Sequence, residues 1–231
     1  MRIKYLLALV LSCFVIGTYA QLSGSYTIGS GTSDDYTCLT CSTGVFKAIA
    51  DSGVSGNLTL NVTTDLSSET GDFKLSSWAA PNTIELKASN SNLKTITYTG
   101  AGGLLIDLDS ISNFSIDGSV GGSGRYLRFV SAQTANAVLQ VNNDCKNVTI
   151  KNSEFRSNNT STSPFNSGAI NLRSYGNTGN DNVTIQNNLF ENNGSALSIA
   201  ICVNPPANSG QLLENLLIKD NEINNVQYRG I

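Results

Sequence analysis

Asn147-Val148-Thr149-Ile150-Lys151-Asn152-Ser153-Glu154-Phe155 returns 35 residues later as Asn182-Val183-Thr184-Ile185-Gln186-Asn187-Asn188-Leu189-Phe190. In both copies apolar residues occupy the second and fourth places, with polar ones between them. That alternation describes a strand with one buried face. Weaker copies begin at Asn57 (NLTL), Thr83 (TIEL), Asn113 (NFSI) and Asn215 (NLLI), so successive starts lie 26, 30, 34, 35 and 33 residues apart. A period in this range is the signature of a solenoid, in which each repeat buries its apolar side only against its neighbours.

Leu58/Leu60, Ile84/Leu86, Phe114/Ile116, Val148/Ile150, Val183/Ile185 and Leu216/Ile218 are therefore expected to stack as inward ladders. Two further short strands fit each period: Glu154-Phe155-Arg156 and Ala169-Ile170-Asn171-Leu172 in the fourth copy, Leu189-Phe190 and Leu197-Ser198-Ile199 in the fifth. Phe155, Phe190 and Ile223 share one offset and predict a second ladder. Asn152, Asn187 and Asp220 share another, between the first two strands. Asn and Asp tolerate the left-handed backbone of a tight corner, so this column predicts the turn of each coil. The expected fold is all-β, a parallel β-helix with three short strands per coil over residues 54–231. Residues 21–53 form an N-terminal segment ahead of it. Within that segment Ser42–Gly53 suits a short amphipathic helix, with Val45, Phe46 and Ile49 on one face and Gly53 as its stop. It is read as a cap over the first coil. Arg229-Gly230-Ile231 occupies the position of Gly168-Ala169-Ile170, so the chain is expected to stop partway through a coil of a longer protein.

Residues 1–20, MRIKYLLALVLSCFVIGTYA, place Arg2 and Lys4 ahead of an apolar run and read as a secretory signal peptide. A second reading takes Val10-Leu11-Ser12-Cys13 as a lipobox with a lipid anchor on Cys13. Without the leader 12 basic and 17 acidic residues remain, which argues against nucleic acid as a partner. No later run is apolar enough to span a bilayer. Four cysteines follow the leader. Cys38 and Cys41 form a CxxC without the βαβ context of a redox motif or the second ligand pair of a zinc site, and the chain has no histidine. A small structural disulfide or free thiols are expected there.

Glu154 and Glu222 sit at one offset two coils apart, which puts their backbones roughly 10 Å from each other at about 4.8 Å per strand. That is near the upper end of the spacing for an inverting glycosidase, although both flank inward positions and so point to solvent. They are the catalytic candidates. Asp181 and Glu214 precede successive copies and offer oxygens to Ca²⁺, with Lys146 in the same column. Tyr126 and Tyr175 are candidate platforms for stacking on sugars. Asp117 and Lys151 are expected to pair on the surface. The glycine-rich Gly118–Gly124 segment lacks the Lys-Ser/Thr ending of a phosphate loop and reads as a loop between strands.

Ile116-Asp117-Gly118-Ser119-Val120-Gly121-Gly122-Ser123-Gly124-Arg125-Tyr126-Leu127, together with the later NVTI coils, resembles secreted right-handed parallel β-helix proteins of the pectin-lyase-like class, in the form common in Bacteroidetes. The resemblance covers roughly residues 21–231. It implies right-handed coiling and delivery to the cell surface or medium. The class holds polysaccharide lyases and glycoside hydrolases beside surface proteins with no known activity, so fold does not choose between them. Neither a histidine-containing glycosidase signature nor a clustered aspartate set is visible, and no catalytic residue is carried over. The expectation is a non-catalytic scaffold that binds glycans or proteins, with a polysaccharide-degrading enzyme as the alternative.

Overall fold

The computed structural model describes residues 21–76, 82–174, 178–204 and 212–231. It is an all-β parallel solenoid built from three sheets that run along one axis. The first sheet has 7 strands: Leu22–Ile28, Val54–Val62, Ile84–Ala88, Ser112–Asp117, Lys146–Lys151, Asp181–Gln186 and Leu217–Lys219. The second has 6: Leu66–Glu69, Lys94–Tyr98, Leu127–Ser131, Ser153–Ser157, Leu189–Asn192 and Glu222–Ile223. The third has 5: Leu75–Ser76, Ile106–Asp109, Leu139–Asn142, Ile170–Arg173 and Ile201–Asn204.

The first ladder stacks as the repeat requires. Leu60, Leu86, Ile116, Ile150, Ile185 and Ile218 are consecutive partners along the sheet, and all but Ile218 are buried. The second ladder is longer than the shared offset announced, running Leu66, Ile96, Phe129, Phe155, Phe190, Ile223. The rings of Phe129, Phe155 and Phe190 lie face to face at centroid distances of 5.2 and 5.5 Å. Side chains repeated at the strand spacing meet the same neighbour above and below, so one well-packed rung propagates to the next. In the last coil Leu216, Ile218 and Ile223 are only half-buried, because that coil has a neighbour on one side.

Two columns of left-handed residues turn the chain. Asn152, Asn187 and Asp220, the predicted corner, have φ of 54°, 52° and 54°. The Asn that opens each copy forms the other column, with Asn113, Asn147, Asn182 and Asn215 at φ 58°, 56°, 54° and 55°. Their amides bond in a chain along the axis: Asn147 Nδ2 donates to Asn113 Oδ1 at 2.8 Å, Asn182 to Asn147 at 3.0 Å and Asn215 to Asn182 at 2.9 Å. The left-handed region costs an L-residue with a Cβ roughly 1–2 kcal/mol, which Asn offsets better than Ala. Asn182→Ala is accordingly expected to destabilise by about 1–2 kcal/mol, and Asn182→Gly by less than half of that, in denaturant titrations. Equal losses would mean that the column acts through its amide bonds and not through the backbone.

One strand assignment is corrected. Leu197–Ile199 was expected to continue the third sheet, but the strand that pairs with Ile170–Arg173 is Ile201–Asn204. Leu197-Ser198-Ile199 alternates apolar and polar whereas Ile201-Cys202-Val203 is an unbroken apolar run, so alternation favours the segment that does not join the sheet. The backbone decides otherwise: Ala169 and Ile170 both donate to Ala200 O, at 2.9 and 3.1 Å, which fixes the register one step later. Leu197–Ile199 pairs instead with Val226–Arg229. Leu22–Ile28 is a strand that the repeat does not announce, pairing with Val54–Val62.

The helix spans Val45–Ser52 and buries Val45, Phe46 and Ile49, and Gly53 donates to Ile49 O at 2.8 Å as its stop. Cys38 and Cys41 form a disulfide just before it. Among the described residues no helix is long and apolar enough to cross a membrane.

Candidate functional site

Strand alternation sorts the polar residues of each sheet onto its outer face. On the second sheet, Glu154 is the partner of Leu189 and Leu189 of Glu222, so the two glutamates share one column two coils apart. Each is already paired. Glu154 Oε2 accepts from Arg128 Nε at 2.7 Å and lies 3.9 Å from Arg156, which reaches on to Glu191 at 3.0 Å. Glu222 accepts from Arg125 at 2.9 Å, and that bond together with one from Asn224 holds its carboxyl below the usual range. Arg125 ends the glycine-rich loop and also bonds Asn187 through Nε and a terminal nitrogen, so the loop folds along the corner column. A general acid is served by a raised carboxyl, and the guanidinium beside Glu222 acts in the other direction.

Asp181 and Glu214 are bridge partners, as their column predicts, and Lys146 Nζ lies 3.7 Å from Asp181. Among the described residues no group of three or more His, Cys, Asp or Glu is placed to hold a metal ion. Asp117 and Lys151 pair at 3.1 Å. Tyr126 is half-buried against the core, with its ring packed beside Gly124. Tyr175 and Cys13 lie outside the described residues. Cys145 is buried and its thiol is pushed up to about 12, chiefly by burial, which leaves it without thiolate character.

The side chains that converge most are on the outer face of the third sheet. Ile106 and Leu108 point inward, so Asp107 and Asp109 of the same strand point out. Gln140 and Asn142 are their partners on the next coil, and Asn171 and Arg173 on the one after. Asn142 Nδ2 donates to Asp107 Oδ1 at 2.6 Å and to Gln140 Oε1 at 3.1 Å, and Gln140 Nε2 donates to Asn171 Oδ1 at 3.2 Å. Lys74 and Asn143 both bond Asp109. Gln140 and Asn171 are outward yet buried, because the loop of residues 158–168 folds over them. That loop is pinned by its carbonyls: Phe165 O accepts from Gln140 at 3.0 Å, and Pro164 O and Ser167 O accept from Asn171 at 3.1 and 2.8 Å. It leaves Phe165 47% exposed, with the Arg173 guanidinium 5.7 Å from its ring centroid.

Beside this network runs an open groove of about 430 Å³, lined by Asp72, Lys74, Asp107 and Asn136 and by the backbone of Gly71, Gly102 and Gly103. The glycines keep it open and close-walled: a Cβ on Gly71, whose φ is 69°, would stand 2.1 Å from Leu104 O. The two carboxyls of the strand beside the groove are set apart. Burial pushes Asp107 up, against the Asn142 bond that pulls it down. Burial raises Asp109 as well, but the bonds from Lys74 and Asn143 outweigh it and the carboxyl ends below its usual range. Asp107 Oδ2 and Asn136 Oδ1 have no hydrogen-bond partner among the described residues and face a space large enough for a ligand.

The groove was not among the sequence candidates. The one signal that pointed to it was Asp107-x-Asp109 on a strand whose alternate residues are Ile106 and Leu108. No family model matches the chain, and no curated protein or solved structure matches it.

Proposed function

We propose that this chain is an exported, surface-displayed right-handed β-helix scaffold of the pectin-lyase-like kind, and that it binds glycans without cleaving them. One observation carries the reading: the third sheet presents an open groove beside carboxylate and amide side chains that are already fixed by hydrogen bonds to one another. Carboxylates and amides held in place match the paired hydroxyls of a sugar, and prior ordering lowers the entropic cost of binding. Phe165, exposed at the edge of the same face, supplies an apolar surface of the kind that sugar rings stack on. The helix Val45–Ser52 serves in this reading as the cap of the first coil, which its buried Val45, Phe46 and Ile49 support.

A second reading, a glycoside hydrolase, is favoured by the two aspartates alone. Residues i and i+2 of a strand are roughly 6.6 Å apart, inside the roughly 6.5–9.5 Å of inverting enzymes. The raised Asp107 is suited to act as acid and the lowered Asp109 as base. Against it, Asp109 is engaged by Lys74 and Asn143, which leaves it poorly placed to activate water.

The whole chain, incubated with a panel of soluble polysaccharides, is expected to be retarded in affinity electrophoresis by at least one of them and to release no new reducing ends. Reducing ends that appear, and that are lost in Asp107→Asn, would replace the first reading by the second. Neither retardation nor cleavage by any member would overturn both.

A further inference from the structure

The groove has a charge character of its own. Lys74 is the cation of its lining, and it is bonded to Asp109. Its positive charge is therefore matched before any ligand arrives. Asp72 and Asp107 remain as carboxylates lining the space, with Asn136 adding an amide oxygen. Asp72 accepts one bond from Thr70 Oγ1, and Asp107 one from Asn142. Arg173 contributes only at a distance, from two coils further along the sheet, where its guanidinium lies over Phe165. The lining thus offers more acceptor oxygens than donors and carries net negative charge. A carboxylate oxygen open to the groove accepts a hydrogen bond from a ligand's donor, and a charged donor makes the stronger bond. A ligand that brings its own carboxylates adds like-charge repulsion in a partly desolvated site.

Resting on the glycan-binding reading above, we propose that this groove takes sugars that are neutral or carry a free amine and discriminates against uronates, with affinity falling in the order amino sugar, neutral sugar, uronate. The amine is recognised by Asp107 and Asp72, and hydroxyls by the same oxygens and by Asn136. The Lys74 ammonium, held by Asp109, is not released to receive a uronate carboxylate.

Calorimetric titration of the whole chain with glucosamine, glucose and galacturonate oligomers of matched length tests the order, at near-neutral pH, which keeps the raised Asp107 carboxyl ionised while part of the free amine is charged. The glucosamine oligomer is expected to bind tightest and the galacturonate oligomer weakest. Asp107→Asn keeps the shape and the Asn142 neighbour while removing the charge. It is expected to weaken the glucosamine oligomer about tenfold and the glucose oligomer no more than about twofold, a tenfold change being about 1.4 kcal/mol. Asp72→Asn, at an exposed position away from the Asn142 bond, repeats the test where folding is not at stake. Galacturonate binding as tightly as glucosamine, or equal losses for both oligomers in the two variants, would overturn the charge order and leave glycan binding standing. Binding of none of the three would overturn the glycan-binding reading itself.

Discussion

Ile150→Asp is expected to abolish the cooperative melt of the solenoid or to lower its midpoint by more than about 10 °C. Ile150 is fully buried, stacked between Ile116 and Ile185 in the first ladder. Removing it forfeits roughly 1.5–3 kcal/mol of apolar burial. The carboxylate that replaces it has no cation within the ladder, and an uncompensated buried charge costs several kcal/mol more. In a protein of this size about 1 kcal/mol moves the midpoint by about 2–4 °C, so the two losses together exceed what local relaxation absorbs. Coils contact only their neighbours, so the damage divides the stack in the middle and separates the coils on either side. Thr149→Asp is the control, one residue earlier on the outer face between Ser115 and Thr184, and should change stability by no more than about 0.5 kcal/mol. Circular dichroism melts of the two variants decide the matter. A larger loss for Thr149→Asp than for Ile150→Asp would show that the inward and outward faces are exchanged, and equal losses would show that the strand has no buried face.

The contrast between those two neighbours explains what was legible in the sequence. Wherever branched or aromatic residues recur at i and i+2 and then again a coil later, as at Val148/Ile150 and Val183/Ile185, the face, the sheet and the register follow together. The corner of Asn152, Asn187 and Asp220 was equally readable, because few other residues tolerate its left-handed backbone, whereas Asn113, Asn147, Asn182 and Asn215 marked the start of each copy without announcing a second left-handed column. Leu22–Ile28 was not readable, since Gly24 interrupts the apolar set Leu22, Tyr26 and Ile28 and the segment lacks the Asn-x-Thr-Ile form of the repeat, its register with Val54–Val62 being set by backbone pairing. The groove escaped for a different reason. Its residues Asp72, Lys74, Asp107 and Asn136 come from successive coils, but the loops between the second and third strands differ in length from coil to coil. Side chains that meet in space therefore share no common offset from the start of a repeat. Arg128 and Glu154 show the same effect: they are direct partners although only 26 residues apart, because the glycine-rich loop lengthens the earlier part of its coil and not the later.

Glu69→Ala is expected to cost about 3–5 kcal/mol, although the residue is charged and lies in a strand of only 4 residues. Its side chain is fully buried. Oε1 accepts from Leu39 N at 2.7 Å, and Oε2 accepts from Thr40 N at 2.7 Å and Thr40 Oγ1 at 2.6 Å. The Cys38–Cys41 disulfide closes this short loop, and closure aims two successive amides at one carboxylate, an arrangement suited to an anion. The same loop then receives the helix: Val45 N donates to Cys38 O at 3.2 Å and Phe46 N to Leu39 O at 2.9 Å. Glu69 therefore joins the second sheet to the loop, and through the loop to the helix. Truncation to alanine leaves three buried donors without an acceptor, each costing about 1–3 kcal/mol where water cannot reach it. Glu69→Gln keeps one acceptor oxygen but turns an amide NH₂ toward the remaining donors, so its loss should be smaller than that of alanine and still above about 1 kcal/mol. Denaturant titration gives the ranking, and hydrogen exchange at the Leu39 and Thr40 amides locates it. Both amides should lose protection in the alanine variant while Ile150 and Ile185 keep theirs, because the damage is at one end of a stack whose middle rungs contact only each other. A loss under about 1 kcal/mol with the Leu39 and Thr40 amides still protected would mean that the disulfide alone orders this loop and that the carboxylate is incidental to it.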